Sequence, residues 1–133
     1  MSLRSLSLAA PILAAFVLAA TPRPALAQEG IGPGPPIETL SQLSELLGQA
    51  HAIRSLCNGD ADQTWRNYMF NMLAIEAPES GPRKSALTSA FNRGFRTQSN
   101  ITRSCSSDMG KVEAEIAARG RALAESAANS YLH

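Results

Sequence analysis

Between Ser85 and Cys105 the chain reads SALTSAFNRGFRTQSNITRSC, and its apolar residues recur at a helical period. Leu87, Ala90, Phe91, Gly94, Phe95 and Ile101 share one arc of that helix. Arg93, Arg96, Asn100 and Arg103 share another, spanning roughly 80°. A helix with one apolar face must bury it against another element. This one also ends in one of the chain's two cysteines, so its far end is a point of attachment.

The compartment follows from the first residues. Arg4 supplies a positive start, Leu6–Ala20 an apolar run interrupted by Pro11, and Ala25-Leu26-Ala27 the small residues a signal peptidase requires. Residues 1–27 are therefore expected to be a leader cleaved after Ala27, with no membrane span left afterwards. Loss of Arg4 and Arg23 with the leader leaves ten basic and eleven acidic residues, a net charge of −1. That balance excludes a general attraction to nucleic acid or acidic membranes. In an exported chain Cys57 and Cys105 read most simply as one disulfide. Two free thiols or a metal pair are the alternatives, but the cysteines lack the close CxxC spacing of a zinc or redox site.

Gln28–Glu38 is rich in Gly and Pro and reads as a flexible tether, leaving 39–133 as the folded domain. Thr39–Cys57 carries Leu40, Leu43, Leu46, Leu47, Ala50 and Ile53 on one arc, with Arg54 inside that arc and His51 at its edge. Asn58-Gly59-Asp60 is a turn signal. Asp62–Ala77 predicts a second helix with Trp65, Tyr68, Met69, Met72 and Leu73 on its apolar face, stopped by Pro78. The third starts at Ser80-Gly81-Pro82 and is expected to reach about Arg103. The fourth begins near Ser106 or Ser107, its face being Met109, Val112, Ile116, Gly120, Leu123, Ala127 and Tyr131. The fold class is thus all-α, an antiparallel up-down bundle of about four helices with one disulfide. In that topology the first and third helices end at the same pole, where Cys57 and Cys105 can meet.

Chemistry is sparsely represented. His51 and the methionines Met69, Met72 and Met109 could suggest a metal or haem, but there is no CxxCH motif, and no metal or cofactor is expected. His51 and His133 are the only histidines, and neither GxSxG nor HExxH occurs, so no enzyme is expected. Glu45, Glu76 and Glu113 are the carboxylates of the predicted helices, and Glu76 and Glu113 lie within apolar arcs. Glu76 is expected to pair with Arg83 or Lys84. Between Ser80 and Ser107 stand Arg83, Lys84, Arg93, Arg96 and Arg103 and no acidic residue. Arginine forks on such a face could grip carboxylate or phosphate. Arg54, Trp65 and Arg66 form a second candidate patch, with Asp60 or Asp62 as the structural partner of Arg54.

HAIRSLC (His51–Cys57), WRNYM (Trp65–Met69), IEAP (Ile75–Pro78), AFNRGFR (Ala90–Arg96) and Cys105 give the pattern HxxRxLC…WR…AFNRG[FY]R…C. It resembles a family of small exported alphaproteobacterial proteins, widespread in rhizobial relatives and of unknown function. The resemblance covers roughly Leu40–Ala127. It implies a Gram-negative envelope location and brings no catalytic or ligand residues with it. The expected function is a non-enzymatic periplasmic helical module that binds a protein or acidic envelope component through an arginine-bearing surface. The alternatives are a disulfide-tied stress chaperone and a peptidoglycan-acting enzyme using Glu76 or Glu113.

Overall fold

A computed structural model describes residues 34–133; the leader, the cleavage after Ala27 and residues 28–33 of the tether lie outside the described residues. The first helix, α1 (Ile37–Asn58), starts two residues before the expected Thr39. Pro36 is its N-cap in an extended conformation, and the Leu40 N–H donates to the Pro36 carbonyl at 3.2 Å. Gly59, at φ 89°, ends the helix in a backbone region that favours glycine. Asp62 then organises the turn: one carboxylate oxygen accepts from the Thr64 N–H and hydroxyl, the other from Asn58. Helix α2 (Thr64–Glu76) follows, then α3 (Pro82–Ile101), which opens on the proline of its first turn, and α4 (Met109–Asn129). The Asp108 side chain makes no capping hydrogen bond to α4.

The up-down order is as expected, but the four helices are not evenly spaced. Helices α1 and α3 run parallel in a constant register. The Pro35 carbonyl meets Arg83, Glu45 meets Arg93, and Cys57 is bonded to Cys105, each pair 48 residues apart. Two glycines permit this close approach. A Cβ on Gly48 would overlap the Phe91 carbonyl, and one on Gly94 would overlap the Glu45 carbonyl. A bundle's first and third helices are usually its diagonal, and here that diagonal has closed. Helix α1 consequently touches all three others, while the α4 backbone approaches neither α2 nor α3.

Two apolar clusters flank α1. Leu40, Leu47, Met69, Leu87, Phe91 and Ala127 form one, and Leu46, Ala50, Ile53 and Ile116 the other. Helix α2 buries only Met69; Trp65, Met72 and Leu73 are half-buried, and Tyr68, expected inward, is exposed. Its seat on α1 covers one edge of its apolar face, because the α4 backbone stays clear of it and only Trp65 reaches the cluster around Ile116. Ile101 is a second departure, 72 % exposed, since the chain leaves the helix there for the disulfide. The described part of the tether is not all loose: Pro35 is buried, and its carbonyl accepts from Arg83.

Candidate functional site

The closed diagonal leaves a cleft on each side of α2. The larger lies between α2 and α4 over α1, with a volume of about 570 Å³. Its floor is Leu40, Leu43, Leu46, Leu47 and Ala50, and the α4 wall is largely Ala and Gly. The smaller, about 500 Å³, lies between α2 and α3 and holds His51, Arg66, Phe70, Phe91 and Phe95.

Polar clasps close both ends of the larger cleft, one from α2 to α4 and one from α2 to Tyr131, two residues past the end of α4. At one end Glu113 Oε1 accepts from the Trp65 indole N–H at 2.6 Å and from Arg54 Nε at 2.7 Å. Asp62 stands 3.6 Å from the same guanidinium. The bond to Glu113 is the main reason the Arg54 pKa is raised further above its ordinary value. Asp62 titrates below the usual carboxylate range, first because Asn58 donates to it, then because Thr64 does, with Arg54 contributing less. At the other end the Tyr131 hydroxyl donates to Glu76 at 2.6 Å, and Arg83 pairs with the second Glu76 oxygen at 3.6 Å. The bond to Glu76 raises the Tyr131 pKa, and burial adds to it. Glu76 thus meets Arg83 as its position suggested, while Lys84 donates to the Pro78 carbonyl instead.

The sequence-derived candidates are distributed unevenly. Arg54 and Trp65 come together on Glu113, with their polar atoms turned to the interior clasp. Arg66 lies on the opposite side of α2, its guanidinium 5.8 Å from the Phe70 ring centre, so the three do not share one surface. Arg93 forks onto Glu45 at 2.8 and 3.1 Å. Arg96 and Asn100 are exposed on α3. Arg103 is exposed beyond the helix end, where helical spacing no longer sets its direction. Glu113 as a hub was signalled only by being a carboxylate inside an apolar arc.

His51 is 4 % exposed, its ring 5.8 Å from that of Phe91 and 5.5 Å from that of Phe95. Its Nδ1 has no hydrogen-bond partner among the described residues. Burial lowers its pKa first and the Arg66 charge second, against weaker opposite effects of Asp62 and Asp60. Among the described residues no group of three His, Cys, Asp or Glu side chains could hold a metal ion. Met69 fills the core, and Met72 and Met109 pack against the two clusters.

A titration follows from His51. The unfolded chain takes up a proton at His51 below about its ordinary value of 6.5, whereas the buried ring resists doing so. Its contribution to stability is therefore full above that pH and declines as pH falls toward the lowered folded value. Urea unfolding at pH 7 and pH 5 should show a loss in the wild type. The loss should be smaller in His51→Phe, which keeps an aromatic ring between Phe91 and Phe95. An equal loss in both would remove His51 as its source.

These features define a small, disulfide-tied, all-helical domain with two open clefts, in which no described helix is long and apolar enough to cross a membrane. Residues 35–131 match the family described as "Protein of unknown function (DUF2385)", and the chain belongs to that family. No curated protein and no solved structure matches it.

Proposed function

We propose that the chain is a non-enzymatic exported module of a Gram-negative envelope that binds an acidic partner through the C-terminal end of α3. One observation carries this reading. Of the five basic residues in the acid-free segment, Arg83, Lys84 and Arg93 are engaged by neighbouring carbonyls or carboxylates. No ion pair engages Arg96 or Arg103 among the described residues; Arg96 is exposed on the last turns of α3 and Arg103 is exposed two residues past its end. Two guanidinium groups without an internal partner suit recognition of carboxylate or phosphate. The leader-like residues 1–27 and the disulfide support export.

The test is crosslinking in the native periplasm, followed by mass spectrometry, on the wild type and an Arg96→Glu, Arg103→Glu double variant. Both positions are exposed, so the variant should melt as the wild type does. It should lose the partners that the wild type recovers. Undiminished recovery would overturn the proposal.

A further inference from the structure

The α2–α4 cleft has no part in the α3 reading, and its chemistry points elsewhere. Its lining is mostly Leu, Ala, Met, Ile and aromatic side chains, and its volume of about 570 Å³ falls in the size class of small-molecule sites. Such sites recur between the helices of bundles. Along α1 the floor from Leu40 to Ala50 extends roughly 15 Å at the helical rise. On the α2 side Tyr68 is 57 % and Ile75 73 % exposed, so apolar surface lines the open edge.

Shape and charge narrow the occupant. The Trp65–Glu113 bond to α4 and the Tyr131–Glu76 bond to the turn just past α4 close the cleft at its two ends. A partner helix about 10 Å across could not lie lengthwise between them without breaking both, whereas a single alkyl chain could. Two charged residues line the cleft, Glu76 and Arg121. Glu76 is already engaged by Tyr131 and Arg83. Arg121, exposed at the rim of the α4 wall, has no ion-pair partner among the described residues. Among the described residues the uncompensated charge of the site is positive.

We infer that this cleft binds a single-chain anionic amphiphile of the fatty-acid type, its alkyl chain lying along Leu43, Met72 and Ile75 and its carboxylate met by Arg121. The deeper lining, Leu40, Leu46, Leu47 and Ala50, is already buried, so the alkyl chain would cover the exposed edge at Tyr68 and Ile75, and the arginine fork would select the head group.

Trp65, the chain's one tryptophan, lines the cleft and reports on it. The oxidised domain is titrated with dodecanoate below its micelle concentration, with Trp65 emission and calorimetry as readouts. Saturable one-to-one binding is expected. Arg121→Glu, at an exposed position, should weaken it by roughly ten-fold or more, the loss of one charge-assisted contact plus repulsion. Dodecanol and dodecyltrimethylammonium should bind more weakly than dodecanoate. Ala124→Phe, also at an exposed position in the α4 wall, should obstruct the cleft and abolish the response while the melting curve is retained.

Absence of saturable binding would overturn the inference, as would equal affinity for the cationic amphiphile or an unaltered response in Ala124→Phe. A Trp65 change that follows protein concentration instead of ligand, with dimers in sedimentation, would assign the cleft to a second copy of the chain. That result too would overturn it.

Discussion

Gly94→Ala is expected to destabilise the domain by about 3 kcal/mol, at the upper part of the usual overpacking range. For a domain of this size that corresponds to a fall in melting temperature of roughly 15 °C. Intrinsic propensity predicts the opposite sign, since alanine is favoured over glycine in a helix interior by about 1 kcal/mol. Packing decides the matter. The added methyl would overlap the Glu45 carbonyl, a main-chain group inside α1 that has no rotamer by which to move aside. Relief requires α1 and α3 to part, which loosens Leu87 and Phe91 against Leu40 and Leu47.

Gly48→Ala should act similarly through the Phe91 carbonyl. Because either methyl alone forces the separation, the double variant should cost less than the two single losses together. Gly120→Ala is the control. A Cβ there meets only Leu43 Cδ1 at 3.6 Å, ordinary contact, so neutrality or a small gain is expected. Urea and thermal unfolding of the four variants check the series. A Gly94→Ala protein as stable as wild type would show that the helices can separate cheaply.

This pair also shows what the sequence could and could not disclose. Gly94 lies among Ala90, Phe91 and Phe95 on an apolar arc, so its role as a close helix contact was legible. Gly48 follows two leucines and reads only as a weak place in a helix. Nothing in its own neighbourhood reveals that it faces Phe91, far along the chain. The same limit explains Arg54. A cation inside an apolar arc had to find an acid, and Asp62 in the adjoining turn was foreseeable. The shorter contact is to Glu113, 59 residues away, which spacing cannot reveal. Both residues stood inside apolar arcs, and that shared anomaly was the one usable signal. Helical period also gave the four helices and their order, because periodicity is local. It could not give the clefts, which depend on how near α1 and α3 come and hence on the two glycines. The helical period holds only as far as Ile101, where the chain turns toward Cys105, so Ile101 is exposed at the last position of α3 and Arg103 lies beyond it.

Removal of the Cys57–Cys105 bond should cost roughly 4 kcal/mol in the chain-entropy account of a 48-residue loop. Such a loss is a large part of the roughly 5–15 kcal/mol that holds a small domain together. The effect should also be uneven along the chain. Toward the end of α3 the packing thins: Gln98 is the last buried residue, Ile101 is exposed, and α4 does not approach α3. Beyond Gln98 the main attachments are the Gln98–Thr102 hydrogen bond and the disulfide itself. The middle of α3 is held independently by Leu87, Phe91 and the glycine contacts.

In a Cys57→Ser, Cys105→Ser variant, hydrogen exchange should therefore rise first over 99–108, while amides around Leu87–Gly94 keep protection up to the lowered global limit. Uniform loss of protection would mean that the bond supports the whole bundle directly. Unchanged stability would mean that the reduced chain is already restrained near this pole. A domain that draws this share of its stability from one exposed-end disulfide should be markedly more stable where thiols are oxidised. Reduction in solution should accordingly lower the melting temperature as far as the double substitution does.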